Sequence, residues 1–189
     1  MLQRPYDVDG LFVMGGSLIN LGSALPEDAP AMLAAFEPET TKNLQYFSEM
    51  PTLDRQKAYL EKMSASHSDV LFTISRSSDQ RLLGTIGLHE IDRHIRLARL
   101  GMLIFRSADR GHGYGNEATK LTLDFAFNYL GLNKVIINLF ETNTRAQEHY
   151  LKLGFEVEGL LREEYLLNGE YHNLVRLAMF KRRFLLPAV

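Results

Sequence analysis

The most informative segment of the sequence joins a predicted strand to a predicted helix and reads Arg110-Gly111-His112-Gly113-Tyr114-Gly115-Asn116. Glycine lets a backbone approach a ligand closely and adopt positive φ angles. A helix N-terminus offers unpaired N–H groups and the positive end of the helix dipole. Three glycines in five residues behind an arginine therefore favour an anion site, most often one for phosphate, over a plain tight loop.

Antiparallel strands and short helices are predicted on either side of this loop. Upstream, the pattern predicts two strands within 7–21, helices at about 27–36 and 54–63, and a meander of strands at 70–74, 82–91 and 95–105. Downstream, it predicts a helix at 117–130, a strand at 134–140, a helix at 144–153, and a hairpin of 155–167 with 171–180 that ends in a solvated strand end at 181–183. The order predicts an α+β fold, in which one mixed, mostly antiparallel sheet carries helices on both faces.

Composition favours a globular protein and excludes several function classes. The chain has 189 residues, 46% of them hydrophobic and 23% charged, so 1–189 is predicted to be a single domain. The absence of cysteine excludes disulfides, thiolate metal sites and a cysteine nucleophile. No apolar run approaches the ~20 residues of a membrane span and the N-terminus does not resemble a signal peptide, so we expect no membrane partner and a cytoplasmic location. No basic cluster is dense enough for a nucleic-acid surface.

Two other phosphate-binding patterns compete for the loop. A P-loop fails because no Gly-Lys-Ser/Thr closes the segment. Residues 113–118 do fit the looser dinucleotide pattern G-x-G-x-x-A, with Glu141 after the next strand as a ribose ligand. That pattern expects its glycines directly after a strand of a βαβ unit, whereas residues 106–110 intervene here. A dinucleotide-binding oxidoreductase is therefore the weaker alternative.

Further segments carry a resemblance to a known family. Arg110, Gly113 and Gly115 match the pattern Q/R-x-x-G-x-G/A, and residues 143–155 (NTRAQEHYLKLGF) match N-x-x-A-x-x-x-Y-x-K-x-G-F. Both patterns are those of the GNAT superfamily of N-acetyltransferases, which the sequence resembles over a core of about 17–183. Residues 159–162 and 168–173 are similar to the C-terminal hairpin of its RimJ/RimL-like subgroup. Residues 1–16 are then an N-terminal extension or an extra strand.

The resemblance implies a sheet that is splayed at a site for acetyl-coenzyme A (acetyl-CoA), which donates acetyl directly to a primary amine. It assigns the loop amides to the coenzyme A pyrophosphate and backbone donors near 103–105 to the oxyanion of the tetrahedral intermediate. The implied coenzyme-binding residues are Leu103, Ile104, Phe105, Arg110, Gly111, His112, Gly113, Tyr114, Gly115, Asn116 and Asn143. Asn143 is also the predicted cap of its helix.

Tyr150 is the residue that the resemblance assigns to protonation of the leaving thiolate. A tyrosine, with an ordinary pKa of about 10, keeps its proton at neutral pH and is able to donate it. Its spacing also suits a core tyrosine, since Ala146, Tyr150 and Leu153 share one helical face. The family motif around Tyr150 favours the proton donor.

The base that takes the proton of the amine is less clearly marked. Glu90 and Asp92, at the end of a predicted strand, are the nearest candidates, with Glu90 preferred and a water relay as the alternative. Many relatives in the subgroup have a glutamate where Arg99 stands. This departure weighs against a subsite for a polyamine.

No metal site is predicted. Residues 89–94 (HEIDRH) resemble H-E-x-x-H but contain one residue too many and lie on a strand and turn. For the aromatic residues Tyr46, Phe47 and Phe72 we favour core packing over lining a substrate pocket.

The expected partners are acetyl-CoA and an amine, which is a small molecule, a polyamine or a protein N-terminus. The sequence leaves the oligomeric state open, a homodimer included. A non-catalytic acyl-CoA sensor on the same fold is the alternative to an enzyme.

Overall fold

Nine strands form one mixed sheet in the computed structural model, which describes residues 6–8, 11–37 and 52–184. The strands are β1 (Tyr6–Val8), β2 (Leu11–Gly15), β3 (Ile19–Ser23), β4 (Val70–Arg76), β5 (Leu82–Asp92), β6 (Leu97–Ile104), β7 (Lys134–Phe140), β8 (Glu156–Leu167) and β9 (Glu170–Phe180). Their spatial order is β1-β2-β3-β4-β5-β6-β7-β9-β8. Among these strands only β6 and β7 pair in parallel.

The α-helices are α1 (Ala29–Ala35), α2 (Leu53–Ser64), α3 (Tyr114–Asp124), α4 (Thr144–Lys152) and α5 (Lys181–Phe184). Short 3-10 helices lie at Pro26–Asp28 and Ser107–Asp109, and a π-helix at Phe125–Tyr129 continues α3. The predicted α+β class and the mixed, mostly antiparallel sheet are confirmed. Residues from the N-terminal 16 add β1 and β2 to the edge of the sheet, so the extension contributes strands. Residues 181–183 form the short helix α5, and the predicted strand end is wrong there.

Both faces of the sheet are covered, as β6 shows. Ala98, Leu100 and Ile104 belong to the large buried cluster that includes Leu121 of α3. Leu103 belongs to a second cluster with residues of α1 and α2. Side chains alternate between the faces of a strand, so α3 covers one face and α1 and α2 cover the other.

The sheet opens between β6 and β7. These strands pair in register only at Leu97–Arg99 with Lys134–Ile136. Beyond Arg99, β6 remains paired with β5, and beyond Ile136, β7 remains paired with β9. The facing edges therefore diverge, which confirms the predicted splay and leaves backbone groups on both edges for a ligand.

Two other predictions concern side chains and membrane spans. Phe72 is fully buried and meets the ring of Phe125 edge-on at 5.3 Å, which confirms core packing. Tyr46 and Phe47 lie outside the described residues. Within the described ranges, no helix has the length and apolar character needed to cross a bilayer.

Candidate active site

A cleft of about 650 Å³ occupies the gap between β6 and β7. Residues 99–104 form one wall, residues 137–139 form the other, and the glycine loop and the start of α4 close the ends. The predicted site residues that line it are Leu103, Ile104, Arg110, Gly111, Gly113, Gly115, Asn116, Asn143 and Tyr150. The fold thus brings residues from four separate segments of the chain to one opening.

The glycine loop has the backbone geometry of an anion site. Gly111 and Gly113 have φ angles of +88° and +85°, and Gly113 is the N-cap of α3. No side chain caps the first turn of α3, so its N–H groups remain available to a ligand. A Cβ on Gly115 would lie 3.1 Å from Met102 Cε and 3.6 Å from His149 Cε1, inside the cleft. A side chain at Gly115 would therefore crowd Met102 and His149, whereas glycine keeps this end of the cleft open.

Two carboxylates fix the loop relative to the sheet. Asp109 is buried and forms a bidentate ion pair with Arg81, which precedes β5. Glu37 accepts hydrogen bonds from the backbone N–H (2.8 Å) and the hydroxyl (2.9 Å) of Ser107. These contacts fix Ser107 and Asp109, at the two ends of the short turn that leads into the glycine loop.

A third carboxylate fixes the start of α3. Glu117 accepts hydrogen bonds from the N–H groups of Ser17 (2.8 Å), Leu18 (2.7 Å) and Ile19 (2.8 Å), and from the Ser17 hydroxyl (2.7 Å). Burial of Glu117 opposes its ionisation, but these hydrogen bonds outweigh it and lower its pKa. The helix that carries the glycine loop is therefore tied to the β2–β3 turn by a charged acceptor.

Two arginines give the cleft a positive end. Arg110 and Arg145 both line it, and no described residue forms an ion pair with either of them. Burial and the neighbouring charge of Arg145 lower the pKa of Arg110. Two cations held close together in a cleft with a helix N-terminus form a site for a polyanion.

The backbone donors differ from the predicted set by one position. The N–H of Phe105 donates to Leu83 O at 2.9 Å, and Phe105 packs in the second buried cluster rather than in the cleft. Successive N–H groups of a strand point to opposite edges, so Leu103 also directs its N–H toward β5. Ile104 and Met102 direct theirs toward the cleft. Of the three predicted donors, Ile104 alone is placed to contact a ligand there.

Tyr150, on α4, lines the cleft. It is 3% exposed, and its ring meets those of His149 and Phe155 edge-on at 4.8 and 5.3 Å. Burial raises the pKa of Tyr150 well above its usual range, so the hydroxyl keeps its proton. None of the described residues hydrogen-bonds to it. Tyr150 is therefore both a core residue and a residue of the cleft wall, so the two interpretations of its position do not exclude each other.

Asn143, the N-cap of α4, and His149, on α4, also line the cleft beside Tyr150. The side chain of Asn143 accepts a hydrogen bond from the Ala146 N–H (3.3 Å), which confirms the predicted cap. Nε2 of His149 is buried without a partner among the described residues, and burial lowers the pKa of this imidazole. Sequence reasoning passed over His149 because only its neighbour Tyr150 stands in the motif.

Four predicted site residues lie outside the cleft lining: Phe105, His112, Tyr114 and Glu90. His112 donates from Nε2 to Ala108 O (3.1 Å), and Tyr114 packs against the main buried cluster. The side chain of Glu90 is 67% exposed and forms an ion pair with Arg99 at 2.7 Å. That pairing lowers the pKa of Glu90, which makes its carboxylate a weaker base.

Neither the metal nor the dinucleotide pattern finds support in this geometry. In the described part of the chain, no three His, Asp or Glu side chains come together in a way that could hold a metal ion. The dinucleotide pattern requires repeated parallel βαβ units, but the strands before the loop form an antiparallel meander.

Comparison with known proteins agrees with this geometry. A spermidine N(1)-acetyltransferase of Escherichia coli K12 is 35% identical over 107 residues, which span 57% of this chain and 57% of that relative. The uncharacterized N-acetyltransferase YoaA of Bacillus subtilis is 26% identical over 146 residues, 76% of this chain and 82% of the relative. The crystal structure of spermidine N-acetyltransferase from Vibrio cholerae in complex with CoA and spermine shares the fold, with a TM-score of 0.79 and 23% identity over 90% of this chain and 99% of that one.

The family assignment rests on a match over most of the chain. Residues 20–156 match the family model described as the acetyltransferase (GNAT) domain. They include β4 to β7, the glycine loop, α4 and all of β3 except Ile19. The chain belongs to the GNAT acetyltransferase family.

Proposed function

We propose that the protein transfers the acetyl group of acetyl-CoA to a primary amine by direct attack in a ternary complex. The observation that carries this proposal is the β6–β7 cleft, which has a glycine loop at the N-terminus of α3 at one end and a protonated, buried Tyr150 in its wall. Acetyl-CoA would supply the thioester.

The chain supplies binding groups and one proton. The N–H groups of the glycine loop and the cations of Arg110 and Arg145 bind phosphate groups. The N–H of Ile104 donates to the acyl oxygen, on which negative charge develops. As the bond from nitrogen to the acyl carbon forms and the carbon–sulfur bond breaks, the Tyr150 hydroxyl donates its proton to the departing sulfur.

We propose that the acceptor is a monoamine rather than a polyamine. The carboxylates described near this part of the sheet are engaged: Asp69 with His89, Glu90 with Arg99, and Asp109 with Arg81. A polyamine needs carboxylates for its distal ammonium groups. The names of the spermidine acetyltransferase relatives favour a polyamine, whereas Arg99 in the cleft wall favours a monoamine such as a protein N-terminus. The RimJ/RimL-like hairpin of 159–173 supports the second class.

The test is a thiol-release assay with acetyl-CoA and four acceptors: spermidine, kanamycin, glucosamine and a peptide with a free N-terminus. We expect turnover, with the highest kcat/KM for the peptide. Acetyl-CoA should also raise the Tm of the protein, since it binds the native state, and EDTA should leave activity unchanged. A Tm shift without turnover of any acceptor would indicate an acyl-CoA sensor, and a larger shift with NAD would contradict the proposal.

The cytoplasmic location and a homodimer stay predictions from the sequence. Sedimentation or light scattering of the purified protein measures the oligomeric state directly.

A further inference from the structure

His89 lies on β5 next to the cleft wall that β6 forms, on the face of the sheet that turns away from α3. The lining of the cleft includes its strand partner Arg99 and Gly101, but not His89 itself. Nε2 of His89 is 3.3 Å from the position that a Cβ on Gly87 would take and 3.2 Å from that of Gly101. Gly101 lines the cleft two residues beyond Arg99, the last residue of β6 that pairs with β7. The imidazole therefore covers the backbone of β6 at the point where the sheet opens.

Tyr150 and His89 lie on opposite faces of the sheet. The glycine loop leads into α3, and Tyr150 belongs to the same buried cluster as α3. His89 pairs in register with Arg99, and Gly87 pairs with Gly101, so these residues share the opposite face with Leu103. With coenzyme A on the α3 side, the amine has to approach the acyl carbon from the side that bears His89.

Asp69 sets the tautomer of His89. Nδ1 of His89 donates to Asp69 Oδ1 at 3.2 Å. Asp69 also accepts from the hydroxyls of Ser66 (2.8 Å) and Ser68 (3.0 Å) and from the N–H of Glu90 (3.4 Å). Although burial opposes it, these hydrogen bonds lower the pKa of Asp69, so the carboxylate stays ionised. With the proton fixed on Nδ1, the lone pair of Nε2 is exposed to a partner, and no described residue hydrogen-bonds to it.

Burial and the charge of Arg99 favour the neutral form of the His89 imidazole. Asp69 precedes β4, Glu90 lies on β5, Arg99 on β6 and Tyr59 on α2, where it lies within range of Asp69 and Arg99. Burial and Arg99 lower the pKa of His89, and the two carboxylates offset this only in part. Glu90 itself is committed to Arg99.

We propose that His89 is the general base of the transfer and that Asp69 is its positioning residue, a proposal that rests on the acetyl-transfer function above. Nε2 of His89 accepts the proton that the amine nitrogen loses as its bond to the acyl carbon forms. The sulfur leaves with the proton of Tyr150, and His89 passes its proton to solvent. An α-amino group, with a pKa of about 7.7–8.0, is a suitable donor to an imidazole, whereas an alkyl ammonium near pKa 10 is a poor one.

The experiment compares His89→Gln with His94→Gln, the same substitution at an exposed histidine on the adjoining β5–β6 turn. The assay is thiol release with the four acceptors named above, and acetyl-CoA binding is measured in parallel by calorimetry. For H89Q we expect kcat to fall about 10²–10⁴-fold at neutral pH, the usual span for a general base, with the Kd for acetyl-CoA unchanged within twofold. H94Q should match wild type.

The pH profile separates a base from a structural residue. Wild-type kcat should rise with pH as a group with a pKa below about 6.5 loses its proton. In H89Q this rising limb of the pH profile should move toward the pKa of the amine. Asp69→Asn should lower kcat and move the limb to lower pH, because the carboxylate raises the pKa of His89. If H89Q does not fold, His89→Ala with added imidazole should regain activity that the variant lacks without it.

Each outcome distinguishes the two proposals. No turnover by wild type would overturn the proposed function. Turnover by wild type with H89Q within fivefold of it and an unchanged limb would overturn the role of His89 alone. Loss of the limb in Glu90→Gln but not in H89Q would assign the base to Glu90 instead.

Discussion

Burial keeps the hydroxyl of Tyr150 protonated over a wider pH range than that of an ordinary tyrosine. The side chain lies between α4 and the cleft, and burial rather than a neighbouring charge raises its pKa. A phenol shielded in this way does not ionise in the range in which enzymes are assayed. A falling limb of activity below about pH 10 would therefore have to come from another group.

Replacement of Tyr150 by phenylalanine tests this role. The ring contacts with His149 and Phe155 remain, and only the hydroxyl is lost. We expect kcat in the thiol-release assay to fall about 10²–10⁴-fold, the usual effect of losing a general acid. The Kd for acetyl-CoA should change little. A loss within fivefold would mean that water protonates the thiolate.

Gly115 tests the loop without backbone strain. Its φ is helical, unlike those of Gly111 and Gly113, so a side chain is sterically excluded only by Met102, His149 and the ligand. Gly115→Val should raise the Kd for coenzyme A at least tenfold, about 1.4 kcal/mol, as measured by calorimetry. Gly159→Val, at a β8 glycine with no atom within 4 Å of an added Cβ and no positive φ, is the control for general destabilisation. Equal affinities in a folded G115V variant would place the pyrophosphate elsewhere.

At the scale of elements, the junction between α3 and the β2–β3 turn depends on one ionised side chain. Glu117 satisfies three backbone N–H groups of residues 17–19 that lie about 100 positions away in the sequence. Its folded-state pKa is lowered. The resulting stability is therefore present above its unfolded pKa of about 4.3 and is lost as pH falls through the lower folded value.

Glu117→Gln should remove this contribution. The amide keeps one acceptor oxygen but loses the charge, and we expect the free energy of unfolding at pH 7 to fall by about 1–3 kcal/mol. Urea unfolding at pH 7 and pH 3.5 measures the effect, and the difference between variant and wild type should shrink at the lower pH. Glu148→Gln, on the exposed side of α4, is the matched control. A constant difference at both pH values would show that the charge does not contribute.

Local sequence predicts most helices and strands, but it misplaces the start of α3 and does not reveal the contact of Glu117. Asn143 predicts the start of α4 because its cap bond is local. The start of α3 is displaced from the predicted residue 117 to Tyr114, because the left-handed Gly113 caps the helix inside the glycine run. The Glu117 contact was not predictable, since an acceptor on a helix carries no sign of which distant N–H groups it meets.

At the scale of the whole molecule, the site exists because two neighbouring strands separate. The family motifs predicted the loop, the splay and Tyr150, which lie in segments with recognisable patterns. The motifs did not predict Arg145, His149 or the pairing of Asp69 with His89. These contacts depend on how β4, β5 and α4 are placed around the opening, and that placement is set by packing on both faces of the sheet. The register also decided between Ile104 and Phe105, because a shift of one residue turns an N–H to the other edge.

The central claim is that acetyl-CoA reacts in the β6–β7 cleft, and a crystal structure of the protein with bound coenzyme A tests it most directly. The account predicts the pyrophosphate on the N–H groups of the glycine loop. It also predicts the coenzyme's sulfur within hydrogen-bond reach of the Tyr150 hydroxyl, roughly 3–4 Å for a sulfur acceptor. Coenzyme A bound outside this cleft, or with its sulfur remote from Tyr150, would contradict the account.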